Sequence, residues 1–209
     1  MTTLSFYQKL AGQRQITTRS AAQLTGVRMS TASMALQRLA AEGLVTRVKP
    51  GAWLLGTAVG KPAALVAAVA HPYEAYLSGW SALRHHGRIQ QFPESHFGVT
   101  LGRPSEMKVA GARVRLHHIT PALFTGYTFV PELGGQVASP EKALFDLVYF
   151  SAMNRSRHGG HLPETELQGL RWREIQGWLR RIQAANVRTI MERNLRQLRK
   201  QHAGAETGE

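Results

Sequence analysis

A chain of 209 residues with 26 Lys and Arg against 13 Asp and Glu, net charge +13, has room for one large core or two small ones. Its 43% hydrophobic content excludes a disordered or collagen-like class, and the lack of cysteine excludes a disulfide scaffold, thiolate zinc sites and a cysteine nucleophile. The charge is +6 over residues 1–60, +2 over 61–150 and +5 over 151–209, so basic ends flank a nearly balanced middle. Such an excess favours an anionic polymer as partner, because every neutralised phosphate releases counterions. The longest apolar run, "AALVAAVA", is too short to cross a bilayer, and the start "MTTLSFYQKL" lacks the layout of a signal peptide. A cytoplasmic protein without membrane contact is expected.

The first sixty residues read as three helices and a hairpin. Leu4, Phe6 and Leu10 lie at helical spacing ahead of Gly12, and a second helix is expected to begin at Thr18, as its cap, and to reach Gly26. After a tight Gly26-Val27 turn, Ala32, Ala35, Leu36 and Leu39 repeat at i, i+3, i+4, i+7 and mark the buried stripe of a third helix ending near Glu42. Facing away from that stripe are Ser30, Thr31, Ser33, Met34, Gln37 and Arg38, which can hydrogen-bond base edges, touch a thymine methyl or grip a phosphate. "LVTRV" and "AWLLG" then read as two short strands joined by Pro50-Gly51, with Arg47 and Lys49 as cations on the hairpin.

"GTAVGKP" at 56–62 has linker composition. Helix resumes in "AALVAAVAH" and again after Ser78, expected to cap a helix that packs Trp80, Ala82 and Leu83 inward and ends at Gly87. "HFGVTLG" and "KVAGARVRLHHI" alternate as strands, the second folded into a hairpin at Ala110-Gly111. "QVASPEKALFDLVYF" is a strand-to-helix junction in which Ser139 caps, Pro140 takes the first turn and Glu141 favours the positive helix end. Its buried face is Ala143, Leu144, Leu147 and Val148. "NRSRHGGHLPE" reads as a loop, residues 171–201 as two helices, the second strongly basic, and 202–209 as a frayed tail.

No catalytic or metal constellation emerges. Asp146 is the sole aspartate, which rules out sites built from paired aspartates, and the adjacent pairs His85-His86 and His117-His118 diverge on a helix or strand. Neither a Gly-x-Ser-x-Gly elbow nor a phosphate loop is present. Hence no enzyme activity, cofactor or metal is expected.

The N-terminal segment resembles the pattern "A..L.GV...T.S.AL.RLA.EGLV.R...G.W.L" of winged helix-turn-helix regulators, except that Arg28 stands where a serine cap is usual. With "YLSGWSALRHHG", "VTLGRP", "GARVRLHHI" and above all "VASPEKALFDLVY", the chain resembles the AbiEi antitoxin family over roughly residues 5–200. The resemblance implies an α+β protein: a winged helix-turn-helix at 1–56, a linker at 57–62, and a larger mixed α/β domain at 63–201 ending in helices. It further implies an autorepressor that binds inverted operator repeats and counters a co-encoded nucleotidyltransferase-like toxin, functionally or by direct contact. The DNA-binding set is then Arg28, Ser30, Thr31, Ser33, Met34, Gln37, Arg38, Arg47 and Lys49. A stand-alone winged-helix regulator and a toxin-neutralising interaction module are the alternatives.

Overall fold

The computed structural model describes residues 2–58, 60–153 and 165–205, so the expected loop at 154–164 lies outside the described residues. Among the described residues the protein has eight α-helices and nine strands in two sheets. No helix among them is long and apolar enough to cross a membrane.

Helices α1 (Thr3–Lys9), α2 (Thr18–Thr25) and α3 (Met29–Ala41) close over a three-stranded antiparallel sheet. Its strands are β1 (Gln15–Thr17), β2 (Val45–Lys49) and β3 (Ala52–Leu55), in the order β1-β3-β2. Phe6, Leu10, Ala32, Leu36 and Leu39 meet Val45, Trp53 and Leu55 in one apolar cluster. The α3 stripe is as its spacing predicts, with Ala35 only half-buried. Gly26 ends α2 in the left-handed conformation, φ +71°, which a glycine adopts without strain.

Two local expectations need correction. The cap of α2 is Thr17, whose hydroxyl accepts from Ser20 N at 3.0 Å, whereas Thr18 is buried and accepts from the Trp53 indole N–H at 3.0 Å. A buried indole requires an acceptor, and that requirement assigns the two threonines their roles. Strand β1 was not expected, because three residues are too few to show a period.

The register of β2 on β3 shifts between Arg47 and Lys49, so Val48 is the extra residue of a bulge. By strand alternation Val48 and Leu54 face a second, larger apolar cluster on the far side of the hairpin, against α4 (Pro62–Ala70). A 3-10 turn at Gly56–Ala58 precedes α4, and the two clusters share the β2–β3 hairpin.

The larger sheet has the order β6-β7-β5-β4-β9-β8. Its strands are β4 (Ala75–Leu77), β5 (His96–Thr100), β6 (Ser105–Val109), β7 (Ala112–His118), β8 (Tyr127–Val130) and β9 (Gly135–Ala138). The β5–β7 and β4–β9 pairs are parallel, the others antiparallel. Ala110 and Gly111, at φ +50° and +80°, make the expected hairpin turn of β6–β7. Gly98 on β5 has a packing reason, since a Cβ there would stand 2.6 Å from Leu116 and 2.7 Å from Val66, closer than side chains tolerate. Strands β4 and β8 escaped the sequence reading: "AYL" is buried throughout, and "YTFV" lacks a clean in-out alternation.

Helix α5 (Gly79–His85) follows Ser78, and α6 (Pro140–Met153) follows Ser139, which caps it by accepting from Lys142 N at 3.2 Å. Helices α7 (Trp172–Leu179) and α8 (Ala185–Ala205) complete the chain. The tail expected at 202–209 begins inside α8, and residues 206–209 lie outside the described ones. The single buried face expected for α6 is an underestimate: α5, α7 and α8 pack around it, and residues 141–150 are all buried.

Candidate nucleic-acid interface

Helix α3 presents the polar set read from the sequence. Ser30, Thr31, Met34, Gln37 and Arg38 are exposed, Met34 to 53%, and Ser33 is half-buried, accepting from Gln37 Nε2 at 3.4 Å. At 3.6 residues per turn the six occupy an arc of roughly 160° opposite the buried stripe. Thr31, Met34 and Arg38 form the flank beside α1, where they line a small cleft with Thr2, Thr3 and Phe6. Arg28 is exposed at the N-cap position and makes no side-chain capping bond. Its charge lies where the helix dipole and unpaired N–H groups already attract an anion.

On the hairpin the two cations differ. Arg47 is exposed, on the helix-facing side of the sheet, its guanidinium 5.8 Å from the Trp53 ring centroid. Lys49, expected to contact phosphate, instead donates to the carbonyls of Val69 at 2.9 Å and His71 at 2.5 Å. These carbonyls lie at the C-terminal end of α4, where the helix dipole draws a cation. Burial pushes the Lys49 ammonium below its ordinary pKa. Lys49→Ala is accordingly expected to cost about 1–3 kcal/mol of stability in urea unfolding. It should leave the salt dependence of DNA binding unchanged, whereas Arg47→Ala lowers that slope by about one.

Two residues on α2 were passed over. Arg19 and Gln23 are exposed on the helix that precedes α3, and the basic residue in the first turn of a capped helix was the available signal. Arg14, another exposed cation of this region, lies 4.6 Å from the Phe129 ring centroid and ties β1 to β8.

A second constellation lies in the centre of the larger cluster. Lys142 pairs with Asp146, and the Asp146 carboxylate also accepts from Ser78 Oγ at 2.7 Å and Tyr76 OH at 3.1 Å. Burial drives the Asp146 carboxyl up and the Lys142 ammonium down, and each is pulled back by the other's charge. Ser78, expected as a capping side chain, is engaged here and makes no side-chain bond to α5. All four residues are 0% exposed, so a serine and a lysine that would suggest nucleophilic chemistry have no route to a substrate. Their role is to fasten α6 to β4.

Glu141 sits at the start of α6 as expected but has a further task. Although 4% exposed, it accepts from Arg171 through the backbone N–H, Nε and a terminal nitrogen at 3.1–3.2 Å, clamping the entry to α7. Burial alone would raise its carboxyl, but the hydrogen bonds from Arg171, its own backbone and Ser139 outweigh it and hold the pKa at about 2. A carboxyl depressed from 4.5 contributes stability that is complete above the unfolded value and is lost as pH falls through 4.5 toward 2. Glu141→Gln is expected to flatten the acid-unfolding profile in that window; an unchanged profile would refute the clamp.

The His85 and His86 rings do not diverge as expected but meet edge-on, centroids 5.0 Å apart. His86 Nε2 donates to the Ala138 carbonyl at 2.9 Å while His85 is exposed, and His118 Nδ1 donates to the Gly102 carbonyl at 3.0 Å. His117 stacks on Phe97, centroids 4.1 Å apart, with its Nε2 buried and without a hydrogen-bond partner. Burial, helped by the charge of Arg115, lowers its pKa to about 4. Its NMR titration midpoint is therefore expected near 4, and stability should fall as pH drops from 6.5 toward 4, because the unfolded chain takes up that proton first. A midpoint near 6.5 would contradict the buried stack. Among the described residues no group of three or more His, Asp or Glu is gathered where it could hold a metal.

No protein-family model matches the chain, and neither does any curated protein.

Proposed function

We propose that the protein is a DNA-binding antitoxin that represses its own operon through a winged helix-turn-helix at residues 1–56. In this reading residues 63–201 counter a co-encoded nucleotidyltransferase-like toxin, and both activities belong in the cytoplasm. The observation that carries the DNA half is the exposed polar face of α3, backed by a closed apolar core and flanked by Arg28 and Arg47. Three helices over a sheet in the order β1-β3-β2, with a tight glycine turn into α3, is the arrangement in which a second helix enters the major groove and a hairpin lies alongside. In this reading Arg19 on α2 and Arg28 at the head of α3, both exposed, contact phosphates. Lys49 is left out of the DNA-contacting set because α4 occupies it.

The antitoxin half rests on the resemblance carried by "YLSGWSALRHHG" and "VASPEKALFDLVY". A co-expression assay tests it: the chain is induced together with a nucleotidyltransferase-like gene adjacent to its own. Restored growth is the expected result. Repression of a reporter under its own upstream DNA without any rescue would reduce the protein to a stand-alone regulator.

A further inference from the structure

We propose that the groove between α7 and α8 is a docking site for an acidic amphipathic helix of a partner protein. The groove encloses about 590 Å³. Trp172, Ile175, Leu179 and Leu195 make its floor, and Arg180, Arg188, Arg196, Arg199 and Lys200 stand along its walls. Glu192 is the one carboxylate among the described lining residues, so the site's charge is strongly positive. On α8 the lining positions 188, 192, 195, 196 and 199 recur one turn apart, a continuous stripe facing α7. From 188 to 200 that stripe runs about 18 Å, the length of three turns of a docked helix.

Two of the cations are held in place. Arg188 donates to the Ile182 carbonyl at 3.3 Å, and the Arg199 guanidinium lies 4.9 Å from the Trp172 ring centroid. That stacking also distinguishes between anionic partners. A single-stranded nucleic acid binds through free aromatic faces on which bases stack, and here one face of Trp172 is covered by Arg199 while the rest of the floor is aliphatic. An aliphatic floor with cationic walls complements a helix bearing leucines on one face and carboxylates at its edges. The surface lies on a different part of the chain from α3, so the inference is independent of operator binding.

Fluorescence anisotropy on the full chain tests it with four labelled probes. These are a helical peptide with leucine at i, i+3, i+4, i+7 and glutamate elsewhere, its lysine counterpart, an oligoglutamate without leucine, and a single-stranded RNA. The expected result is that the leucine-glutamate helix binds at least tenfold tighter than each of the others. Arg196→Glu on α8 and Arg180→Glu at the C-cap of α7, both at exposed positions, should each weaken it at least tenfold while leaving binding to upstream duplex DNA unchanged. Equal binding of the oligoglutamate, preference for the RNA, or loss of duplex binding in either variant would overturn the proposal.

Discussion

Asp146→Ala is expected to lower the free energy of unfolding by about 3–5 kcal/mol, the largest effect of any single substitution considered, because it strands a buried lysine without its counter-charge. Lys142 and Asp146 are both 0% exposed, and Lys142 lies among the rings of Tyr76, Phe145 and Trp178, which offer it no compensating carboxylate. The loss is a property of the broken pair and not of charge as such. Replacing the whole constellation with Lys142→Met, Asp146→Leu, Ser78→Ala and Tyr76→Phe is therefore expected to recover most of it, since no buried polar group is then unpaired. Urea unfolding followed by far-UV circular dichroism measures both. A single-variant loss below about 1 kcal/mol would mean that water reaches the pair.

Arg38→Ala is expected to weaken binding to the operator by about 1–3 kcal/mol and binding to a scrambled duplex by much less, if its guanidinium reads a guanine edge. Arg38 is exposed in the last turns of α3, beside Met34, on the flank nearest α1. Arg28→Ala should behave differently. A cation at the head of the helix addresses phosphate, so its loss is expected to weaken both duplexes alike and to reduce the salt slope by about one. Equal losses on both duplexes for Arg38→Ala would reassign Arg38 to the phosphates.

How much of this was legible in the sequence depends on the kind of signal. Helix α3 was read nearly to its ends, because Ala32, Leu36 and Leu39 repeat at helical spacing between a glycine turn and Gly43. Ser139, Pro140 and the Ala110-Gly111 turn were read equally well, since each follows from local backbone chemistry. Failures came where a side chain answers to a distant partner. Lys49 looks like a free cation on a basic hairpin, and nothing local shows that the end of α4 will arrive to accept from it. Thr17 and Thr18 are interchangeable in sequence, and only Trp53 distinguishes them.

The stretch at 139–146 illustrates both cases. Its residues read as a capped helix start, but the spacing assigns the helix only one buried face, that of Ala143, Leu144, Leu147 and Val148. Lys142 and Asp146 belong to a helix enclosed on every side, and the available signal was a lone acid inside the apolar run "ALFDLVYF" with a lysine four residues before it. Each residue of this most distinctive stretch to which the structure gives a side-chain role (Ser139 as cap, Glu141 as clamp, Lys142 and Asp146 as the buried pair) holds the fold together. The residues proposed to meet DNA lie elsewhere, on α2, α3 and the β2–β3 hairpin.

The most direct test is a gel-shift titration of the purified protein against its own upstream DNA and a scrambled duplex of equal length, at two salt concentrations. Tighter binding to the upstream duplex, weakening steeply with salt and losing its preference in Arg38→Ala, is the predicted result. Weak and equal binding to both duplexes would contradict the operator-reading role of α3.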